Sequence, residues 1–530
     1  MDIIRNIPNS IVIFIIIITC LIFTVNLNLV DITIMEARNF VTAREMLQDN
    51  NWLMPTFNGE ARYEKPPLPT WIAAISTIIF GSKSLYLFRL PGFLCLSIIG
   101  ITSYYFSLEL VKNKLQSIVN SFISITSFYT IAIIVEAPWD IFSHSFMFVG
   151  IYYLLRALNN KKFNFKNIFL ISIFIASSFL SKGPISIYAL LIPFLISYFI
   201  TNPKSIGNKL IKIIPIILTG VIIGSCWYII ILIEDPTNLI NVTKKETSNW
   251  TNYNIRPFYY YWSFFIQSGL WSIIAFLSLI YPYFKNKIKD YKSYRFTFLW
   301  TITGVILLSL IPEKKPRYLM PILIPLALNI GFICRYLLTE FNKNKVAKLI
   351  VIFHYIIAIF LGLSFVLTKI YILNYSINIA DILLAIFSIV MIIKVLNIKY
   401  LPSVKINILF FLILIFSISN SPTLITKTNK SFKSINTLNL SEIELYTNYS
   451  LSPEIIWSFG KKIKKLDNIK IKQLSEEKIK FGLLTKNPIT VNDTILNESN
   501  YTIKLVSKYD LNTQKKKSRL ITYYHLFAPK

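Results

Sequence analysis

Apolar runs close to twenty residues long recur from one end of this chain to the other, and no other feature limits its fold so tightly. IVIFIIIITCLIFTV lies near the start, and VIFHYIIAIFLGLSFVLTKIYIL begins at Val351. A bilayer core takes about 20 helical residues to cross, and backbone polar groups there must be satisfied within helices or closed barrels. Charge is correspondingly sparse: 15% of the 530 residues, against roughly 25% in soluble domains. The chain therefore reads as a polytopic α-helical membrane protein. No small-residue cleavage site follows the first run, so it is expected to stay as a span and not to act as a removed signal peptide.

Hydropathy places spans near 8–29, 88–110, 117–135, 141–158, 167–181, 184–200, 210–233, 257–283, 294–311, 318–338, 348–371, 379–396 and 405–420, thirteen in all. Residues 67–81 are too short to cross comfortably and are expected at the interface. With that choice the basic loops fall on one side. They hold Lys112 and Lys114; Lys161, Lys162 and Lys166; Lys204, Lys209 and Lys212; Lys285, Lys287, Lys289, Lys292 and Arg295; Lys343, Lys345 and Lys348; and Lys394, Lys399 and Lys405. The positive-inside rule then puts the N-terminus in the cytoplasm. Two polar loops, 30–87 and 234–256, and a tail from about Ser421 lie outside. Residues 1–420 are expected to form the membrane domain and 421–530 a small extracytoplasmic α/β domain, with an amphipathic helix over 453–466.

The net charge of +29 does not argue for nucleic acid, because the cations sit in short loops between spans and not on one soluble face. Cys20, Cys95, Cys226 and Cys334 lie inside apolar runs without metal-ligand spacing and read as small packed hydrophobes. Nine Asn-x-Ser/Thr sequons, such as those at Asn448 and Asn497, are expected by chance in so Asn-rich a chain.

Charges kept on the outer side ask for a reason. In the first loop, residues 35–48 read as an interfacial helix with Phe40, Ala43 and Leu47 on one side and Glu36 and Arg38 at its start. Glu64-Lys65-Pro66-Pro67 follows, and two prolines stiffen the chain and fix where Lys65 points. A rigid cation at the membrane surface suits a lipid phosphate; a lysine snorkelling to headgroups is the alternative. Glu136-Ala-Pro-Trp-Asp140 stands at a span entry, where a carboxylate is costly unless used or paired, or serves as a first-turn acid. Pro312-Glu-Lys-Lys-Pro-Arg-Tyr318 sets Lys314, Lys315 and Arg317 beside Tyr318, which suggests an anionic ligand or simple pairing with Glu313. Lys182, in Ser-Lys-Gly-Pro, reads as a helix-end lysine. His144 reads as structural.

These residues carry a resemblance. Glu36-x-Arg38, Ala43-Arg44-Glu45-Met46, Trp52, Pro55, Asn58-Gly59 and Tyr63-Glu64-Lys65-Pro66-Pro67-Leu68 resemble the aminoarabinose transferases of lipid A modification. With the protein O-mannosyltransferases, these form part of the GT-C class of membrane glycosyltransferases. Arg89-Leu90-Pro91, Asp140, Lys182-Gly183-Pro184, the aromatic run 257–262 with Trp271, and Arg317-Tyr318-Leu-Met-Pro321 continue it over roughly residues 1–340.

The resemblance implies inverting transfer of a sugar from a polyprenyl-phosphate donor to an envelope acceptor, a lipid A-like glycolipid ahead of a protein or glycan. It also implies a bacterial inner membrane location. Lys65 and Arg38, with Arg317 and Tyr318, would bind the donor phosphate; Glu64, Lys182 and Lys315 would support them. Glu36 or Asp140 would be the base. The family usually has Asp where this chain has Met35, so either Glu36, Asp31 or Asp140 is the base or the base is lost. No cofactor is expected, and nothing in the sequence argues for a divalent metal. A transporter or flippase would place ionisable residues at mid-membrane in matched half-repeats, which are not seen. A non-catalytic envelope scaffold is the third reading, and Met35 is its one support.

Overall fold

The computed structural model describes residues 6–81, 84–160, 163–203, 206–372, 377–397, 401–424, 433, 435, 443–466, 473–474, 476–489, 501–513 and 517–529. Lys161, Lys162, Lys204, Lys399 and the Asn497 sequon lie outside the described residues. The chain divides into two compact units. One comprises residues 1–30 and 63–424, the other residues 31–62 and 425–530.

The first unit is a helical bundle. Among the described residues, eleven helices are long and apolar enough to cross a membrane, or twelve with one bent pair. The expected thirteen differ at two places. Lys114–Thr126 and Phe128–Glu136 form the bent pair, turned by 40° where Ser127 takes extended backbone (ψ 127°). The stretch expected as span 184–200 becomes the short apolar helix Ile187–Thr201, because Gly183 at φ +73° has already ended the preceding helix. The span expected at 257–283 is also irregular. Phe258–Tyr261 and Phe264–Trp271 are 3-10 turns, and Gly269 at φ +68° breaks the path.

Side chains such as Ile211, Ile233, Phe360 and Leu396 are more than 70% exposed. Water would penalise so apolar a surface, whereas lipid solvates it. With no hydrophobic drive between helices in lipid, close packing and polar seams must hold the bundle. Gly220 and Gly224 let their helix press on Phe165–Lys182: a Cβ on Gly220 would come within 2.9 Å of the Ser172 carbonyl. A hydroxyl seam joins Ser143, Ser178 and Ser186. Asn329 Nδ2 donates to Ser278 O at 2.9 Å while its Oδ1 accepts from Thr297.

The second unit is an α/β fold around a five-stranded sheet of order β4-β3-β5-β7-β6, its strands following a separate hairpin, β1 (Thr56–Phe57) and β2 (Glu60–Ala61). Strand β3 (Glu444–Thr447) runs parallel to β4 (Lys464–Lys465) and β5 (Phe481–Thr485). Strand β7 (Ile521–Pro529) is antiparallel to β5 and to β6 (Tyr501–Asp510). The helix expected over 453–466 stops at Phe459. Gly460 takes the left-handed cap, and the lysine-rich remainder pairs as β4.

Residues 31–62 of the first loop, expected with the membrane domain, group with this tail. The helix Ile34–Asp49 begins at a capping box: Glu36 Oε2 accepts from Thr33 N at 3.0 Å, and Thr33 Oγ1 from Glu36 N at 3.3 Å. Its covered face meets the helix Pro453–Phe459. Arg44 donates to Ile456 O and Trp457 O at that helix's C-terminal end, where a cation is favoured. Glu45 accepts from Thr56 Oγ1 and from the Asn58 and Gly59 amides. That fixes the β1–β2 turn, whose Asn58 and Gly59 both have positive φ. The Asn58 side chain then pairs with both backbone groups of Ile463, each at 2.8 Å.

Candidate active site

In the first unit, separate segments bring cations to one place. The Pro312–Tyr318 loop is pinned first. Ile255 and Glu313 form a β-bridge, and Arg256 N donates to Pro312 O at 3.2 Å. Tyr261 Oη accepts from Lys315 N at 3.0 Å and donates to Lys315 O at 3.1 Å. Tyr261 belongs to the aromatic run noticed in the sequence, and its hydroxyl is thus a clamp for the basic loop. Lys314 is spent on structure. It is buried, its ammonium donates to the Arg256 and Ile311 carbonyls, and burial pushes its pKa down.

The other two cations of the loop converge with Lys182 on one ring. Lys182 Nζ lies 5.3 Å, Lys315 Nζ 5.6 Å and Arg317 Cζ 5.8 Å from the centre of Tyr318, within the reach of cation–π attraction. Lys65 is close enough for its charge to act on Lys182 as well. Lys315 is ion-paired to Glu313 and sits 4.9 Å over Tyr253. Arg317 Nε is buried without a hydrogen-bond partner.

Asp140 stands in the first turn of Pro138–Asn160 and is 1% exposed. Its Oδ1 is held by Lys182, while its Oδ2 is buried with no hydrogen-bond partner. One turn along, His144 Nδ1 is 2.8 Å from Ser186 Oγ, which ties it into the hydroxyl seam, as a structural histidine should be. Lys65 follows two residues after Tyr63, whose hydroxyl donates to Asp235 Oδ2 at 3.0 Å; burial and that carboxylate push the Tyr63 phenol up to about 12. Lys65 itself pairs with Glu246 at 3.6 Å. Both therefore lean on the helix Pro236–Asn252, which Asp235 caps. Glu64 is half-buried between them.

Of the residues singled out from sequence, this unit assembles Lys65, Glu64, Asp140, Lys182, Lys315, Arg317 and Tyr318. Glu36 and Arg38 belong to the second unit, where Glu36 serves the capping box and Arg38 is exposed. Sequence reasoning missed Glu246 and Tyr253, which had no signal beyond their outer-loop position. It also passed over Tyr129, which donates to Glu136 and feels the charge of Arg317. Among the described residues, no three His, Cys, Asp or Glu side chains are grouped to hold a metal ion.

A helical membrane bundle with a cation cluster at helix ends and a small α/β unit makes the chain similar to membrane glycosyltransferases of the aminoarabinose transferase and protein O-mannosyltransferase kind. The family model described as dolichyl-phosphate-mannose-protein mannosyltransferase matches residues 64–230. Undecaprenyl phosphate-alpha-4-amino-4-deoxy-L-arabinose arabinosyl transferase of Wigglesworthia glossinidia brevipalpis is 28% identical over 309 residues, covering 56% of this chain and 53% of that protein. Its counterpart in Photorhabdus laumondii is 23% identical over 306 residues, covering 55% and 53%. The chain thus matches about half the length of these curated relatives. Among solved structures, ArnT from Cupriavidus metallidurans bound to undecaprenyl phosphate has the same fold, with a TM-score of 0.66 over 98% of both chains at 14% identity.

Proposed function

We propose that the protein is an inverting glycosyltransferase that moves a sugar from a polyprenyl-phosphate donor to an envelope acceptor at the extracytoplasmic membrane face. The supporting observation is the convergence of Lys182, Lys315 and Arg317 on Tyr318 beside the buried Asp140. A phosphate leaving with the bonding electrons gains negative charge in the transition state, and preformed cations in a dry site stabilise that charge most. Lys65, Lys182, Lys315 and Arg317 take this role, and Asp140 takes the acceptor proton. Glu36 acts through the capping box and not as the base. In this reading the N-terminus is cytoplasmic and the tail lies outside, as the basic loops argue. A lipid A-like acceptor is favoured on the likeness to the arabinosyl transferases.

The test is mass spectrometry of polyprenyl-phosphate sugars, lipid A and envelope glycans from cells with the gene intact, deleted or carrying Lys65→Ala. Accumulation of one sugar-phosphate lipid, with the matching mass lost from one acceptor in both mutants, is the expected outcome. A deletion phenotype that Lys65→Ala does not reproduce would overturn the phosphate role.

A further inference from the structure

Three of the four cations in the site are already engaged by carboxylates: Lys65 by Glu246, Lys182 by Asp140 and Lys315 by Glu313. A phosphate entering such a site does not meet free charge. It must exchange with carboxylates, and the exchange at Lys182 has a chemical consequence that the other two lack. Asp140 is the deepest of the three acids, at 1% side-chain exposure against 39% for Glu246 and 7% for Glu313. Its second oxygen is also buried and unbonded, so Lys182 is the carboxylate's one partner among the described residues.

We propose that Lys182 is a counter-ion switch: in the donor-free protein it holds Asp140, and on donor arrival its ammonium moves to the phosphate and leaves Asp140 as an unpaired base. The inference rests on the transferase reading and adds an order of events to it. A carboxylate paired with an ammonium binds protons weakly, whereas the same carboxylate left buried and alone binds them strongly. Base strength at Asp140 therefore appears only once donor phosphate is in place. Lysine suits the task because its ammonium is a point charge on a flexible four-carbon stem. Its position 5.3 Å from the Tyr318 ring, which Lys315 and Arg317 also approach, puts the phosphate-binding groups within one side-chain swing.

The step then balances. The acceptor oxygen bonds to the anomeric carbon, and its proton passes to Asp140 Oδ2. The bond from the anomeric carbon to the phosphate oxygen breaks, and its electron pair stays on the phosphate, which Lys182 now faces. Once Asp140 releases its proton to water, it competes for Lys182 again and so helps to expel the product phosphate.

The experiment is binding of undecaprenyl phosphate, as probe, to the purified full-length chain in detergent. Asp140→Asn releases Lys182 and should bind the probe about tenfold tighter than the parent protein, equivalent to about 1.4 kcal/mol. Lys182→Met should bind it more weakly. Added to Lys182→Met, Asp140→Asn should change nothing, and this double variant carries no unpaired charge that could prevent folding. Unchanged affinity in Asp140→Asn, or tightening that survives in the Lys182→Met background, overturns the switch. Failure of the parent protein to bind the probe at all overturns the transferase reading itself. Carbodiimide modification of Asp140 in the parent protein gives a second measure: the probe should speed it several-fold, and unchanged or slower labelling counts against the switch.

Discussion

Among the described residues, two lysine–aspartate pairs lie buried in the helical unit, alike in chemistry and opposite in circumstance. Lys369 and Asp381 meet at 2.5 Å with side chains 4% and 3% exposed. The Asp381 carboxylate also accepts from the Asn378 amide at 2.8 Å in a capping box. Lys182 and Asp140 are as deeply placed on the acid side, but Asp140 keeps one oxygen unbonded and its lysine sits among further cations. Burying a charge is costly unless its hydrogen-bonding valences are met. The first pair meets that condition and reads as structure. The second leaves it unmet beside several cations, which is where the proposed donor phosphate would sit. An orphan atom alone is not the signal, since the neutral amides of Gln116 and Asn120 also keep one. The signal is an orphan on a charged group among other charges.

The largest effect should come from exchanging the two acids in turn. Asp140→Asn should cut turnover per folded molecule by about 10²–10⁴-fold and cost less stability than the same change at Asp381, because Lys182 is more exposed than Lys369. Asp381→Asn should instead cost about 3–5 kcal/mol of stability and leave turnover per folded molecule intact. Paired activity and thermal-unfolding measurements in detergent check both, and a catalytic loss from Asp381→Asn would break the distinction. Next, Arg317→Ala should lower kcat by about 10²–10³-fold, because its Nε is likewise an orphan in the cluster. Equal loss of folded protein would make Arg317 structural.

Glu36 sharpens the same contrast, because both of its capping-box bonds are made. Glu36→Gln keeps a competent box and should retain activity, whereas Glu36→Ala should cost about 1 kcal/mol. Loss of turnover in Glu36→Gln, with the fold retained, would make Glu36 the base. The smallest effect concerns His525 in the α/β unit, both of whose ring nitrogens are engaged. Its Nε2 accepts from the Ile489 amide at 3.2 Å, and Nδ1 faces Thr485 Oγ1 at 3.3 Å. Burial depresses its pKa below 6.5, so the unfolded chain binds the proton more readily than the folded one. Its stabilising contribution is thus complete above about pH 6.5 and lost as pH falls below that. Thermal unfolding from pH 7.5 to 5 should show a downward slope that His525→Gln reduces. An unchanged slope would remove His525 from the account.

Much of this was legible in the residues. Tyr63-Glu64-Lys65-Pro66-Pro67 announced a stiffened cation, and the Pro312–Tyr318 loop announced cations gathered beside a phenol. Its Lys314 could not be told from Lys315 in sequence, because only the register against Asn254–Arg256 turns one inward and leaves the other beside Tyr318. The Arg44-Glu45 and Asn58-Gly59 motifs were equally visible, yet their work in docking the loop onto the tail helix was not. Glu246 had no readable signal, since its meaning comes from Lys65, far away in the chain.

The sequence by itself determined the solvent, the helices and the reservoir of charge. Each depends on neighbours in the chain: a run long enough for the bilayer, a proline or glycine that ends it, a loop kept basic or acidic. Tertiary structure decided which charges meet. It grouped residues 31–62 with residues 425–530, bent one span at Ser127, and set Lys182 between Asp140 and the other cations. Coulomb energy and desolvation depend on distance and burial in space, and neither is written in the order of the residues.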